Sequence, residues 1–154
     1  MALLHRLLGR AARIVWRITR PRTIGVRGLL LSPDGRVALV RHTYVDGWYM
    51  PGGGVKKGEC VTDALHRELA EEVAVRGATV ERVLGVYHNR HEGKDDHVIV
   101  YVAHAPDDSL HGADTLEVAE VGWFALDALP DGTTPATLRR IAEFRAGTTG
   151  GGNW

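Results

Sequence analysis

The sequence predicts a single α/β domain, and three observations carry that prediction. Short aliphatic runs bounded by turn signals recur along the chain and indicate strands. Two segments in the second and last thirds of the chain repeat their apolar residues at helical spacing and indicate amphipathic helices. The length of 154 residues suits one domain of ordinary size with a real hydrophobic core. We therefore expect one domain in which helices pack against a sheet.

The first 22 residues form a basic segment of their own. A helix is predicted from residue 2 to about residue 19, with aliphatic side chains on one side and arginines on the other, and Pro21 ends it. Six arginines and no acid give residues 1–22 a charge of +6, so residues 23–154 carry −6. Three interpretations stay open for this amphipathic helix: packing on its own domain or on a homodimer partner, peripheral contact with a membrane surface, and a flexible arm.

The acidic body and the single cysteine limit the partners and the compartment that we expect. General nucleic-acid binding needs a basic face, which residues 23–154 do not offer. Cys60 has no second cysteine with which to form an internal disulfide, and this fits a reducing cytoplasm. Cys60 is expected to fill the entrance of a helix rather than to act as a nucleophile.

The strands before the glycine-rich stretch are predicted as a hairpin. Residues 23–31 and 37–40 are rich in aliphatic side chains, and Pro33-Asp34-Gly35 between them is a turn signal, so the two strands are expected to be antiparallel. Trp48 follows a polar loop and precedes the glycines of residues 52–54. Two interpretations of Trp48 stay open, because its ring could stack on a substrate base or belong to the core.

The second half of the chain is predicted to hold three strands and a helix. Strands are expected at residues 79–88 and 97–105, joined by a charged connection, and at residues 120–124 after a long polar loop. A helix is expected from Thr134-Pro135 to about Arg145, because proline is favoured in the first helical turn. The glycine-rich tail of residues 148–154 is expected to be flexible.

The predicted helix of residues 61–74 carries the strongest functional signal. Three acids, Glu68, Glu71 and Glu72, fall in its last two turns, where the helix dipole disfavours carboxylates. At about 100° per residue, Glu68 and Glu72 project within about 60° of Leu65 and so lie beside the buried side of the helix. Oxygen ligands in this position suit a hard cation such as Mg²⁺ or Mn²⁺. The alternative is a solvated acidic helix stabilised by side-chain pairs.

The glycine-rich stretch and the acidic helix together fit the pattern G-x5-E-x7-R-E-U-x-E-E-x-G-U, where U is a bulky aliphatic residue, with one mismatch. The matching residues are Gly53, Glu59, Arg67, Glu68, Leu69, Glu71, Glu72 and Val75. This pattern resembles the signature of the Nudix hydrolase family. The mismatch is Ala74, where the family has a glycine that ends the helix in a left-handed conformation. We expect the helix of this chain to run on instead to a C-cap at Gly77.

The resemblance covers residues 23–147 and implies an α/β/α sandwich with a mixed sheet. It also implies a pyrophosphohydrolase that cleaves a phosphoanhydride bond in a nucleoside diphosphate linked to another moiety, by attack of a metal-activated water on phosphorus. The cofactor implied is Mg²⁺ or Mn²⁺, and its implied ligands are the Gly53 carbonyl oxygen and the side chains of Glu68, Glu71 and Glu72. Arg67 is implied to pair with a neighbouring carboxylate, and Glu59 to brace the glycine loop.

The general base and the substrate contacts stay open at this point. Glu71 and Glu117 are the two candidates for the acid that takes a proton from the attacking water. Arg41 and His91 are predicted to contact phosphate or ribose, but the motif does not identify the nucleotide-type substrate. Two alternatives remain beside the hydrolase: a Nudix-like domain that binds a nucleotide as a sensor without cleaving it, and a hydrolase recruited to a membrane by its arginine-rich helix.

Overall fold

The computed structural model describes residues 22–90, 95–113 and 116–154. The strands are β1 (Thr23–Leu31), β2 (Val37–His42), β3 (Gly52–Gly54), β4 (Thr79–Asn89), β5 (Asp96–His104), β6 (Val118–Phe124) and β7 (Gly150–Asn153), and the helices are α1 (Val61–Val73) and α2 (Pro135–Arg145). The strands predicted before and after the glycine-rich stretch are therefore confirmed, with boundaries that differ by one or two residues. The predicted helices at residues 61–74 and 135–145 are confirmed as well.

The strands form one mixed sheet in the order β6-β2-β1-β5-β4-β7, and β3 pairs with β1 outside that path. Two pairs, β1 with β5 and β4 with β7, are parallel, and the others are antiparallel. The predicted hairpin of β1 and β2 is present, and Gly35 in its turn has a φ of 82°, a backbone conformation that glycine adopts without strain. The three glycines of β3 pair with Gly25, Val26 and Arg27, in the first half of the central strand β1.

The two helices pack on opposite faces of the sheet. Successive strand residues point to opposite faces, so Val40 packs in a buried cluster with Leu65 of α1, whereas Leu39 packs in a second cluster with Ile141 of α2. All four of these side chains are essentially inaccessible to solvent. Burial on both faces explains why the strands contain runs of aliphatic residues rather than a strict alternation. The described residues therefore form an α/β/α sandwich.

The expectation of a flexible tail is wrong, because residues 150–153 form β7 beside β4. The hydroxyl of Tyr87 donates a hydrogen bond of 2.6 Å to Glu143, and both side chains lie where a Cβ of Gly150 would stand. The backbone amide of Trp154 then donates to His88 O at 3.0 Å. Glycine is needed here for a close approach between backbone and side chains, so the composition of the tail does not reflect flexibility.

The expected extension of α1 to Gly77 is also wrong. The helix ends at Val73, and Ala74 itself adopts the left-handed conformation, with φ 56° and ψ 22°. The backbone amide of Val75 donates back to Leu69 O at 3.1 Å, and the Val75 side chain is buried. The chain has to turn at residue 74 so that Val75 can enter the core, and this requirement overrides the preference of alanine for the helix.

Replacement of Ala74 by glycine is expected to raise the free energy of unfolding by about 0.5–1 kcal/mol. Removal of the steric strain of alanine in the left-handed conformation contributes roughly 1–2 kcal/mol. The greater conformational freedom of glycine in the unfolded chain offsets roughly 0.4–1 kcal/mol of that gain. Urea unfolding of both proteins measures the difference. The matched control is Ala70→Gly inside α1, which should destabilise by about 1 kcal/mol; equal effects of the two substitutions would contradict the strain at Ala74.

The amphipathic helix and the membrane contact predicted for residues 1–22 stay predictions, because residues 1–21 lie outside the described part of the chain. Among the described residues, neither helix has the length and apolar character needed to cross a membrane. The bounds predicted for the domain, residues 23–147, have to be extended at the C-terminal end, since β7 completes one edge of the sheet.

Candidate active site

The glycines of β3 allow the acidic helix to approach the sheet closely. A Cβ on Gly53 would lie 2.6 Å from Glu68 Oε1 and 2.8 Å from Glu68 Oε2, so only glycine leaves room for that carboxylate. The backbone amide of Gly52 donates a hydrogen bond of 2.8 Å to Glu72 Oε2. A side chain at Gly52 would collide with the backbone of Val26. The two acids of α1 therefore lie directly against β3.

Glu72 is the most buried acid of this group. It is 7% exposed, and burial, with a smaller contribution from Glu68 and Glu117, raises its pKa to about 7 against the opposing effects of the Gly52 amide and Arg27. His42 Nε2 lies 3.6 Å from Glu72 Oε1, but burial lowers the pKa of His42. Burial therefore disfavours the charged form of both side chains, so their contact is a weak ion pair at most. A buried carboxyl group without a cationic partner at contact distance is suited to bind a cation.

Arg67 ties the neighbouring acids together. Its guanidinium group donates to Glu59 at 2.7 and 3.0 Å, to Glu68 at 2.6 Å, to Glu71 at 3.1 Å and to the carbonyl oxygen of Gly54 at 3.0 Å. These hydrogen bonds lower the pKa of Glu59 to about 2 and raise the pKa of Arg67. Glu59 also accepts a hydrogen bond of 2.9 Å from the backbone amide of Lys56. Arg67 and Glu59 thus connect α1 to the glycine loop.

The donor set of this region suits a hard cation, although the side chains are not arranged around one. Glu68, Glu71 and Glu72 offer only oxygen atoms, as Mg²⁺ and Mn²⁺ prefer. Within the described residues, no group of three or more His, Cys, Asp or Glu side chains converges on a common point that could hold a metal ion. The guanidinium of Arg67 stands between Glu68 and Glu71 and supplies positive charge there. A cation would therefore need a shift of these carboxylates away from Arg67.

Replacement of Gly53 by alanine is expected to lower activity at least about tenfold with little effect on stability, a loss typical of a displaced active-site side chain. The new Cβ would displace the Glu68 carboxylate, but this group is the far end of a flexible side chain and can move. The matched control is Gly54→Ala, since a Cβ there meets no atom within 4 Å. Turnover and urea unfolding of both variants check the prediction, which fails if the two variants keep equal activity.

Of the other residues predicted for the site, Glu117 and Arg41 are on the surface of the described part of the chain. Glu117 is exposed and lies close enough to Glu72 and Tyr44 to raise the pKa of both. Arg41 is half-exposed and forms an ion pair of 2.7 Å with Glu120 on β6. The substrate contact predicted for His91 falls outside the described residues.

The structure does not support stacking of Trp48 on a substrate base. Trp48 is 8% exposed, and its ring packs edge-on against Phe124 with the ring centroids 5.0 Å apart. Its backbone also pairs with Thr133. The ring therefore has no free face for a substrate base, and the alternative interpretation of Trp48 as a core residue applies.

An open cleft beside Glu72 was missed by the sequence analysis. This cleft, of about 880 Å³, is called the aromatic cleft below, and its lining includes His42, Tyr44, Tyr49, Thr134, Arg139 and Trp154. The period-2 alternation of β2 places His42 on the same face as Val40 and α1, and that signal could have identified it. The contributions from α2 and from Trp154 depend on tertiary packing, which local patterns do not show.

The fold and the site together define the class of protein: an α/β/α sandwich in which an acidic helix faces a strand of glycines, with an open cleft beside them. The NUDIX domain family matches residues 21–144. Since this match covers most of the chain, the protein belongs to the Nudix hydrolase family, as the signature of residues 53–75 predicts.

Similar proteins include several pyrophosphohydrolases. A candidate 8-oxo-dGTP diphosphatase of Bacillus subtilis (strain 168) is 29% identical over 125 residues, which cover 81% of each chain. An RNA pyrophosphohydrolase of Hahella chejuensis is 44% identical over 57 residues, and the chain spans only 35% of that relative's length. The crystal structure of a MutT NUDIX hydrolase from Burkholderia pseudomallei is 29% identical, with a TM-score of 0.66 over 80% of this chain and 98% of the other.

Proposed function

We propose that this protein is a divalent-metal-dependent pyrophosphohydrolase that cleaves a phosphoanhydride bond in a nucleoside diphosphate linked to another moiety. The observation that carries the proposal is the position of Glu72, a buried carboxyl group held against the glycine strand, beside Glu68 and Glu71 on the same helix. Acids that are costly to keep at this end of a helix have a clear use as cation ligands.

The residues proposed to hold Mg²⁺ or Mn²⁺ are Glu68, Glu71, Glu72 and the carbonyl oxygen of Gly53. When bound, a divalent cation neutralises diphosphate oxygens and lowers the pKa of a coordinated water. Without the cation, Arg67 holds Glu68 and Glu71 on one side of the helix through hydrogen bonds of 2.6 and 3.1 Å. Glu59 fixes Arg67 in turn, so Arg67 stays in place when the carboxylates of Glu68 and Glu71 turn away from it to the cation.

Glu71 and Glu117 are the proposed candidates for the general base that takes the proton from the attacking water. Glu71 is half-exposed and shares the guanidinium of Arg67 with Glu68. Glu117 lies close enough to Glu72 to raise its pKa and, within the described residues, has no cationic side chain at ion-pair distance. Comparison of Glu71→Gln and Glu117→Gln tests the assignment. The variant that lowers kcat by at least about a hundredfold with unchanged metal affinity identifies the base.

Substrate contacts outside the motif are proposed from charge and position. Arg41 is half-exposed on β2 next to His42, and release of its ion pair with Glu120 would free it to contact a phosphate or ribose group. The same contact is proposed for His91. The substrates of the relatives, 8-oxo-dGTP and RNA, are candidates for this chain in addition to sugar nucleotides, dinucleoside polyphosphates and ADP-ribose.

The proposed function is tested by turnover of that substrate panel with Mg²⁺, with Mn²⁺ and with EDTA. We expect release of a nucleoside monophosphate or of pyrophosphate that depends on the added cation. The alternative of a nucleotide-binding sensor would give nucleotide binding without turnover of any diphosphate under either cation, and that result would contradict the proposal.

The expected setting of this activity is the cytoplasm, in agreement with the single Cys60, which is exposed and free. A homodimer and peripheral membrane contact through residues 1–22 belong to the same proposal. Liposome co-sedimentation of the full chain beside a chain that starts at Thr23 tests the membrane contact, and equal sedimentation of the two would contradict it.

A further inference from the structure

The aromatic cleft begins where the acidic helix ends. His42 connects the two regions, because its Nε2 lies 3.6 Å from Glu72 Oε1 while its ring stacks on Tyr44 with the centroids 5.2 Å apart. His42 is buried, and Tyr49 lies on a further side of its ring, 5.8 Å away. If the proposed function holds and the diphosphate lies at Glu72, this cleft is close enough to receive the next part of the same substrate.

Two aromatic side chains give the cleft surfaces that suit a flat ring. Tyr44 is 70% exposed, an unusual degree for a large aromatic residue that stacks on a buried histidine. Trp154 is partly exposed; its ring packs edge-to-face on Tyr87, with ring centroids 6.0 Å apart and planes at 62°, and the guanidinium of Arg140 lies 5.8 Å from its centroid. Exposed aromatic faces of this kind stack well on nucleobases, which all present a π-face.

The backbone holds Trp154 in the cleft independently of its indole ring. The Trp154 amide donates to His88 O at 3.0 Å, and Arg139 donates to the Trp154 backbone oxygen at 2.7 Å. Parallel pairing of β7 with β4 also fixes residues 150–153, which directly precede Trp154. The indole is therefore positioned before any ligand binds, which lowers the entropic cost of stacking.

The side chains that line the cleft suit a nucleotide rather than a cationic ligand, and the acids that act on Tyr44, namely Glu72, Glu117 and Glu68, belong to the region proposed to bind the cation and the attacking water. The described residues that line it include Arg27 and Arg139 and no Asp or Glu. The first turn of α2, which borders the cleft, also lacks acidic residues. A volume of about 880 Å³ lies within the roughly 300–1,000 Å³ range of sites for small ligands and leaves room for a base with its ribose.

We propose that the aromatic cleft binds the base of a nucleotide substrate, with Trp154 and Tyr44 as the stacking surfaces and Arg139 as the residue that positions Trp154. The specificity of the enzyme for a nucleoside is then set by two segments outside the signature: the loop after β2 and the residue that follows β7. This inference rests on the proposed function for the position of the phosphates, while the binding of the base does not require the cation.

The test measures binding to the full chain in EDTA by isothermal titration calorimetry, with AMP, GMP, CMP and UMP and with ribose 5-phosphate, which lacks a base. We expect the best of the four nucleotides to bind at least about tenfold more tightly than ribose 5-phosphate, since stacking on an aromatic side chain contributes roughly 1–3 kcal/mol per base. Trp154→Ala should reduce the ratio of nucleotide affinity to ribose 5-phosphate affinity to near one. Trp154→Phe, which retains a stacking surface, should keep most of that ratio.

Two further variants keep the test decisive if Trp154→Ala disturbs β7. Tyr44→Ala changes a different segment and should also reduce the ratio, whereas Leu138→Ala on the exposed side of α2 should leave it unchanged. Equal binding of ribose 5-phosphate and the best nucleotide overturns the inference, as does absence of nucleotide binding at millimolar concentration or an unchanged ratio in both alanine variants. Turnover without base-dependent binding overturns this inference alone, and base-dependent binding without turnover overturns the proposed function alone.

Discussion

Replacement of Glu72 by glutamine is expected to lower kcat/KM by at least about a hundredfold, the scale of the loss of a cation ligand's stabilisation of the transition state. The substitution removes the negative charge from the most buried acid of the site. The amide oxygen of glutamine can still accept the hydrogen bond that the Gly52 amide donates to Glu72, so the packing of α1 on β3 should be retained. Initial rates on the best substrate of the panel, at saturating cation, measure the effect.

The matched control for this substitution is Glu120→Gln. Glu120 is a half-exposed carboxylate on β6 that pairs with Arg41, so its replacement removes the same charge without changing the acidic helix. We expect the control to change kcat/KM by less than about tenfold, as is usual for an exposed ion pair. Intact turnover in Glu72→Gln, or an equal loss in both variants, would contradict the role of Glu72.

The same substitution is expected to stabilise the cation-free protein at high pH. Folding raises the pKa of Glu72 from 4.5 to about 7, so the folded state favours the protonated carboxyl group. The resulting penalty is absent below the unfolded pKa, grows as the pH rises, and is complete above the folded pKa. Since one pKa unit corresponds to about 1.4 kcal/mol, the penalty above pH 7 is on the order of 3 kcal/mol.

Urea unfolding in EDTA at pH 5 and pH 8 measures this penalty. Glu72→Gln should exceed the wild type in free energy of unfolding at pH 8 and match it more closely at pH 5, because all other titrating groups are common to both proteins. Saturating Mg²⁺ should then reverse the order at pH 8 by binding the folded wild type. An identical pH dependence of the two proteins would show that Glu72 is not a desolvated acid.

Local patterns were sufficient to predict most of the secondary structure. The turn signal at residues 33–35 predicted the β1–β2 hairpin, and the proline at residue 135 predicted the start of α2. These features depend on residues that are close in sequence. The parallel pairing of β1 with β5 could not be derived in the same way, because it joins segments about half the chain apart and no local signal selects the partner.

The acidic side of the site was also predictable, since helical spacing alone places Glu68 and Glu72 beside the buried face of α1, where the structure has them. Two errors had a common cause. Ala74 and Gly150 were interpreted from their intrinsic preferences, yet the burial of Val75 and the approach of Tyr87 decide their conformations. Tertiary packing overrides local preference at such positions. The aromatic cleft also depends on tertiary packing, because residues from distant segments line it, so local patterns do not predict it.

The central claim is that the acidic face of α1, and Glu72 in particular, binds a divalent cation. Electron paramagnetic resonance titration of Mn²⁺ into the wild type and into Glu72→Gln tests it without dependence on a substrate. The account predicts that the wild type binds Mn²⁺ and that the substitution weakens binding by at least about tenfold. Equal Mn²⁺ affinity in the two proteins, or no binding by the wild type, would contradict it.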